Sequence, residues 1–246
     1  MSISNCGHDE NGKYSGGKAG DQTGGEYCIR PWYNRPWDCV LRHPDTKVQA
    51  DISKLAKQAA ENDLIGYDQS QRGTFWEQLK TVASYLPANI KTACEADCSS
   101  STAAIVKAVG YRKKNAKLKG VSTDLWTGNI KAALKAAGFE VLTAGKYTDS
   151  QDYLLPGDIL LNESHHVAIN VTKGSKVGKD ASPTTAGATF KVTAKSGLNC
   201  RKGAGTQYAV TRVLEYGQAV KVQSVFNGWA KTAKGDYCSA QYIARS

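Results

Sequence analysis

Apolar residues recur at helical spacing through the first two-thirds of the chain and alternate with polar ones through the last quarter. After Asp45, the positions Val48, Ile52, Leu55 and Ala59 share one helical face. Thr74 followed three residues later by Glu77 has the form of a capping box, which predicts a helix from there to about Tyr85. Residues 102–109 carry apolar side chains at helical spacing behind the polar step Asp97-Cys98-Ser99. Residues 127–137 read as a further helix, stopped by Gly138. Residues 139–142, 158–161 and 166–171 are strand candidates. Helices first and strands later predict an α+β domain rather than a doubly wound one. The stretch up to Gly25 is glycine-rich and reads as irregular. The aromatic, proline-punctuated residues 27–37 suit either extended packing or the wall of a sugar- or peptide-binding groove.

The tail has another rhythm. Residues 190–193, 209–214, 219–225 and 229–232 are short and alternating, with Gly203, Gly205, Gly217, Gly228 and Gly235 between them. That pattern predicts a small all-β barrel. Residues 172–187 are mostly Gly, Ser, Thr, Pro and Lys, with almost nothing to bury, which is a linker composition. The expected layout is a first domain over 1–171, a linker over 172–187 and a second domain over 188–246.

Charge sharpens this division. The 246-residue chain has a formal net charge of +10, and residues 186–246 hold nine Lys or Arg against two Asp or Glu. Residues 1–170 are nearly balanced, with 20 against 19. A basic tail suits nucleic acid, an anionic membrane or an anionic wall polymer. Trp229, Tyr237 and Tyr242 could stack on bases, but no nucleic-acid motif accompanies them, and nucleic acid is not expected as a partner. No apolar run reaches the roughly 18 residues of a membrane-spanning helix. The N-terminus lacks the basic-then-apolar layout of a signal peptide, so synthesis in the cytoplasm is expected, with release by another agent. The seven cysteines are odd in number and irregularly spaced. Neither a full disulfide framework nor a metal centre is expected, and no cofactor is implied.

The chemistry centres on Cys98. A cysteine at a helix N-terminus sits at the positive end of the helix dipole, which favours the thiolate. Cys94 is its competitor, upstream of the expected cap. A nucleophilic thiol needs a base, and His165 and His166 are adjacent on a predicted strand, so their side chains point to opposite faces. His165 is in phase with Val167, Ile169 and Val171, whereas His166 shares a face with Ala168 and Asn170. The more polar face favours His166 as the base, with His165 as an exposed residue before the strand the other possibility. Asn170 is the candidate to orient the imidazole, although it lies roughly 13 Å along an extended strand. A neighbouring strand or the N-terminal segment could supply that group instead. The backbone N–H of Cys98 is the natural first donor to an oxyanion, with Tyr67 or Gln69 as candidates for the second.

Asp97-Cys98-Ser99, Gly157-Asp158-Ile159-Leu160 and His166-Val167-Ala168-Ile169, taken in that order, resemble the NlpC-type papain-like peptidoglycan hydrolases. The residues Gly20-Asp21-Gln22-Thr23-Gly24-Gly25-Glu26 and Ile29-Arg30-Pro31-Trp32-Tyr33 look like a phage endolysin version of that fold. In the tail, Leu198-Asn199-Cys200-Arg201-Lys202-Gly203, Asn227-Gly228-Trp229 and residues 237–243 resemble a bacterial SH3-like wall-binding domain, with Cys200 in place of the usual valine. The resemblance implies a papain-like cysteine hydrolase domain followed by an SH3-like barrel. It also implies that Cys98 attacks an amide of the peptidoglycan stem peptide to form a thioester, with His166 as its partner. The bond would be γ-D-glutamyl to diamino acid, or alternatively muramoyl to L-alanine. The tail, with Trp229 and Tyr242 as candidate contacts, would hold peptidoglycan or an anionic wall polymer. A wall-binding protein without catalysis, and a nucleic-acid-binding protein, are the readings from other classes.

Overall fold

The computed structural model describes residues 1–177, 188–226 and 228–245. The chain divides into two compact units, Met1–Val177 and Gly178–Ser246. Most of the expected linker, residues 178–187, lies outside the described residues. Residues 172–177 stay with the first unit: Gly174 N donates to Leu154 O, and Ser175 Oγ donates to Asp152 at 2.7 Å.

In the first unit, β1 (Ser2–Cys6), β2 (Tyr27–Pro31) and β3 (Cys39–Arg42) precede α1 (Thr46–Ala60), β4 (Ile65–Tyr67) and α2 (Thr74–Thr81). β5 (Cys94–Ala96) then leads into α3 (Cys98–Lys113), followed by α4 (Ala116–Lys119), α5 (Ile130–Ala136), β6 (Glu140–Leu142) and α6 (Gly145–Thr148). β7 (Ile159–Asn162) and β8 (His166–Asn170) complete it. Six strands form an antiparallel sheet in the order β2-β1-β8-β7-β3-β6, and β4 and β5 make a separate parallel pair. Val167 and Ile169 join the core built by α1 and α3, while Ala168 packs on the opposite face with Ile3, Trp37 and Leu160.

β1 was not foreseen. Ser-Ile-Ser-Asn-Cys is mostly polar, yet four of its five residues are buried, because β2 and β8 flank it. Its polar side chains are satisfied inside: Ser4 Oγ donates to Ala56 O at 2.9 Å. The glycine-rich stretch after it is irregular but wound around buried carboxylates. Asp21 accepts from the N–H groups of Thr23, Gly25, Glu26 and Tyr27, and Asp9 from those of Asn11 and Lys13.

Two helix predictions change. α2 ends at Thr81, not near Tyr85, and its cap is Gly73. The Thr74 hydroxyl accepts from Glu95 N at 2.7 Å, tying the helix to β5 instead of capping it. α5 begins at Ile130, three residues later than the periodicity suggested. Gly138 does stop the helical segment, at φ 104°.

The Gly157-Asp158 step is architectural. A Cβ at Gly157 would collide with the Gln49 carbonyl, and its φ of 89° belongs to glycine. Asp158 is fully buried and takes a two-pronged contact from Arg42, at 2.7 Å to Nε and 2.5 Å to Nη2. It also accepts from Leu155 N at 2.7 Å, so the entry to β7 is fastened to β3.

The second unit is all-β apart from a short 3-10 turn. β9 (Ala188–Val192), β10 (Leu198–Arg201), β11 (Val210–Leu214), β12 (Ala219–Phe226), β13 (Trp229–Thr232), β14 (Tyr237–Ser239) and β15 (Ile243–Arg245) form one sheet in the order β11-β10-β14-β13-β12-β9-β15. Cys200 and Cys238 face each other across β10 and β14 as buried free thiols in its core. No described helix in either unit is long and apolar enough to cross a membrane.

Candidate active site

Asp97 fixes where α3 begins. Its side chain accepts from Ser100 N at 2.6 Å and from Ser99 Oγ, while Ser100 Oγ accepts from Asp97 N, a reciprocal capping box. Arg72 holds the other carboxylate oxygen at 2.9 Å and also pairs with Asp124. Cys98 is therefore the first helical residue, partly exposed, at the positive end of a 16-residue helix. Cys94 faces Leu64 O inside β5 and is buried.

His166 opens β8 just after the loop Glu163-Ser164-His165, in which Ser164 takes a left-handed φ of 64°. β1 pairs with β8 through Ile3↔Asn170 and Ser4↔Ile169. One step further, Asn5 lies diagonal to His166 on the same face, within reach of a long side chain. Asn5 Oδ1 meets His166 Nε2 at 2.8 Å. An amide oxygen accepts only, so Nε2 carries the proton and Nδ1 is left as the basic nitrogen. The Trp37 ring, 6.3 Å away between centroids, backs the imidazole.

A cleft of about 490 Å³ is lined by Cys98, His166 and Asn5, and by Tyr67 and Gln69 from the end of β4 and the loop after it. Gln69 Nε2 donates to Tyr67 Oη at 3.1 Å. Tyr67 is placed by Gly66, where a Cβ would run into Gly20 O, and by Glu26, whose Oε2 accepts from Tyr67 N. His165 lies exposed at the cleft.

Asn170 is not part of this cleft. Its Nδ2 donates to Leu155 O at 2.8 Å and Thr172 O at 2.6 Å, clamping the chain where it leaves β8. Asn5 has the contact expected of Asn170. The signal that could have located it is weak: a polar residue inside an N-terminal segment whose burial depends on pairing with residues far along the chain.

Burial pushes the Cys98 thiol up to about 12, with the Asp97 carboxylate acting in the same direction; the N–H groups of Val167, Ser99 and Cys98 oppose it. Burial, reinforced by Arg35 and Arg30, holds the His166 imidazole down to about 4. Burial thus favours the neutral thiol and the neutral imidazole, against the thiolate that the helix position alone favours. Below it, Glu95 of β5 is raised to about 7 by burial and by Glu26, Asp68 and Glu10, although Gly20 N donates to its Oε1 at 2.6 Å. Among the described residues no group of three or more His, Cys, Asp or Glu side chains is arranged to hold a metal ion.

In the second unit Trp229 and Tyr242 line one groove of about 320 Å³, together with Asn199, Arg201, Thr206 and Ser239. Asn227 lies outside the described residues.

Comparison with protein families matches an endolysin-like domain over residues 3–177 and a bacterial SH3 domain over residues 196–244. No curated protein and no solved structure matches the chain. An endolysin-like domain joined to a bacterial SH3 domain is the composition of a cell-wall lytic enzyme. With well over half its length matched, from the second residue of β1 to the end of the first unit, the chain belongs to the endolysin-like domain family.

Proposed function

We propose that the first unit is a papain-like cysteine hydrolase of the NlpC type that cuts the γ-D-glutamyl to diamino acid amide of the peptidoglycan stem peptide. The observation that carries this reading is one cleft lined by a cysteine at a helix N-terminus and by a histidine whose Nε2 is held by Asn5.

A neutral resting pair sets the order of events. As Cys98 Sγ attacks the carbonyl carbon, its proton passes to His166 Nδ1, so charge separates only while the new C–S bond forms. The oxyanion is met by the Cys98 N–H, with Tyr67 and Gln69 on the facing wall. His166 then protonates the leaving amine, the C–N bond breaks and a thioester remains. Water attacks the thioester as His166 takes its proton, and the C–S bond breaks to restore the thiol. Asn5 holds the ring by Nε2 and so leaves Nδ1 free for these proton transfers. The second unit holds peptidoglycan or an anionic wall polymer in the groove of Trp229 and Tyr242, on a strongly basic surface.

Purified cell walls digested with the protein and analysed by mass spectrometry test this. New fragments ending in D-glutamate, absent with Cys98→Ala, are expected. A muramoyl to L-alanine cut would give the bond to the amidase reading. Wall binding with no new amino groups released would leave a non-catalytic wall-binding protein.

A further inference from the structure

The charged lining of the active-site cleft beyond its histidines is of one sign. Arg30 from β2 and Arg35 from the loop before β3 both line it, and among the described residues no Asp or Glu side chain does. Neither guanidinium is in an ion pair among the described residues. Arg30 lies over the Tyr33 ring at 4.7 Å, and Arg35 Nε approaches only a neutral acceptor, Asn162 Oδ1, at 3.5 Å. Each guanidinium has five N–H donors in a rigid fork, so most of that capacity is uncommitted.

Two unpaired cations beside a general base are unfavourable in the free enzyme. Both act on His166 and add to the burial that disfavours its imidazolium, the form every turnover must pass through. An anion arriving with the substrate would remove that opposition as it binds.

We propose that Arg30 and Arg35 form the carboxylate-recognising wall of the cleft, and that the substrate is a stem peptide whose γ-linked D-glutamate carries a free α-carboxylate. The proposal rests on the hydrolase reading above and selects between its two bonds. In the γ-D-glutamyl linkage the scissile carbonyl is the side-chain carbonyl of D-glutamate, and three carbons separate it from the free α-carboxylate. In the muramoyl to L-alanine linkage neither flanking group carries a carboxylate, since the alanine carboxyl is itself an amide. The α-amide of the same D-glutamate cannot accept a charge-assisted, two-pronged contact from arginine. The arginines therefore set specificity, and the carboxylate they bind offsets their opposition to the His166 imidazolium only when the right substrate is present.

The test uses the full-length protein and two synthetic muropeptides that differ only in α-carboxylate or α-amide at D-glutamate. The expected result is a kcat/KM preference of about ten- to a hundred-fold for the carboxylate, the usual range for hydrogen bonds to charged groups. In Arg35→Gln, Arg30→Gln and the double variant the ratio should fall toward one. Arg35→Lys should keep part of it, a graded response that general damage to the fold would not produce. Equal turnover of both peptides by the wild-type protein, or an unchanged ratio in the double variant, overturns the proposal. If mass spectrometry shows the peptides cut at a bond other than the γ-glutamyl amide, the bond assignment fails and the proposal falls with it.

Discussion

Glu95→Gln should stabilise the first unit at alkaline pH and not at acid pH. The carboxyl lies on β5, 1% exposed, with Oε1 taking the Gly20 N–H and Oε2 without a partner among the described residues. Burial and three neighbouring carboxylates raise it from an ordinary 4.5 to about 7. The folded protein thus keeps a proton that the unfolded chain has released, so stability falls as pH rises through this window and levels off above it. At about 1.36 kcal/mol per tenfold change in proton affinity, the span amounts to about 3 kcal/mol. Glutamine keeps an oxygen for Gly20 N and carries no charge, which removes this slope. Urea unfolding of both proteins at pH 5 and pH 8, followed by tryptophan fluorescence, measures it, since four of the five tryptophans lie in the first unit. Comparing the variant with the wild type cancels the titrating groups that are not coupled to Glu95; Glu26, Asp68 and Glu10 are. The variant should gain about 2–3 kcal/mol on the wild type between the two pH values, a midpoint shift on the order of 1 M urea. An identical difference at both values would refute the reasoning.

Asn5→Ala should lower kcat on cell walls by about tenfold or more, the value of one orienting hydrogen bond, with wall binding retained in a sedimentation assay. Asn170→Ala should act on stability instead, lowering the unfolding free energy from urea titration by about 1–3 kcal/mol through two unpaired carbonyls, Leu155 O and Thr172 O. The His166 imidazole, held down to about 4, should put the acid limb of kcat/KM well below the ordinary 6.5. The same depression makes the unfolded chain bind the extra proton first. Stability should therefore fall as pH drops from about 6.5 to about 4, by up to about 3 kcal/mol, and His166→Gln should flatten that slope in urea titrations.

The parts of the fold that could be read in advance were those whose neighbours lie nearby in sequence. Residues 46–60 declare a helix because one turn of spacing separates Val48, Ile52, Leu55 and Ala59, all buried. Asp97 and Ser100 announce the start of α3 from within four residues. Strand phase put His165 on the apolar face with Val167 and Ile169, but β8 begins only at His166, and His165 is the exposed residue before the strand, the other possibility. β1 and β3 were not legible in this way. Cys39–Arg42 is buried throughout, including an arginine whose partner Asp158 is 116 residues away. Asn5 meets His166 across 161 residues, and no local pattern encodes that meeting. The arginines of the cleft wall were in view as residues, but their lack of acidic partners is a property of the assembled surface.

The insertion of β1 between β2 and β8 also has a meaning in time. β1 is held on one side by residues made more than 160 positions later, so the sheet cannot close until residues 166–170 have left the ribosome. At about 5–20 residues per second, Asn5 waits on the order of ten seconds or more for the histidine it will hold. Until then a nascent chain can carry Cys98 on its helix with no base beside it. If Cys98 is the nucleophile proposed above, topology keeps it without its base while the polypeptide is incomplete. Long-range closure of this kind is slow, and the contact between Asn5 and His166 is among the last the domain acquires.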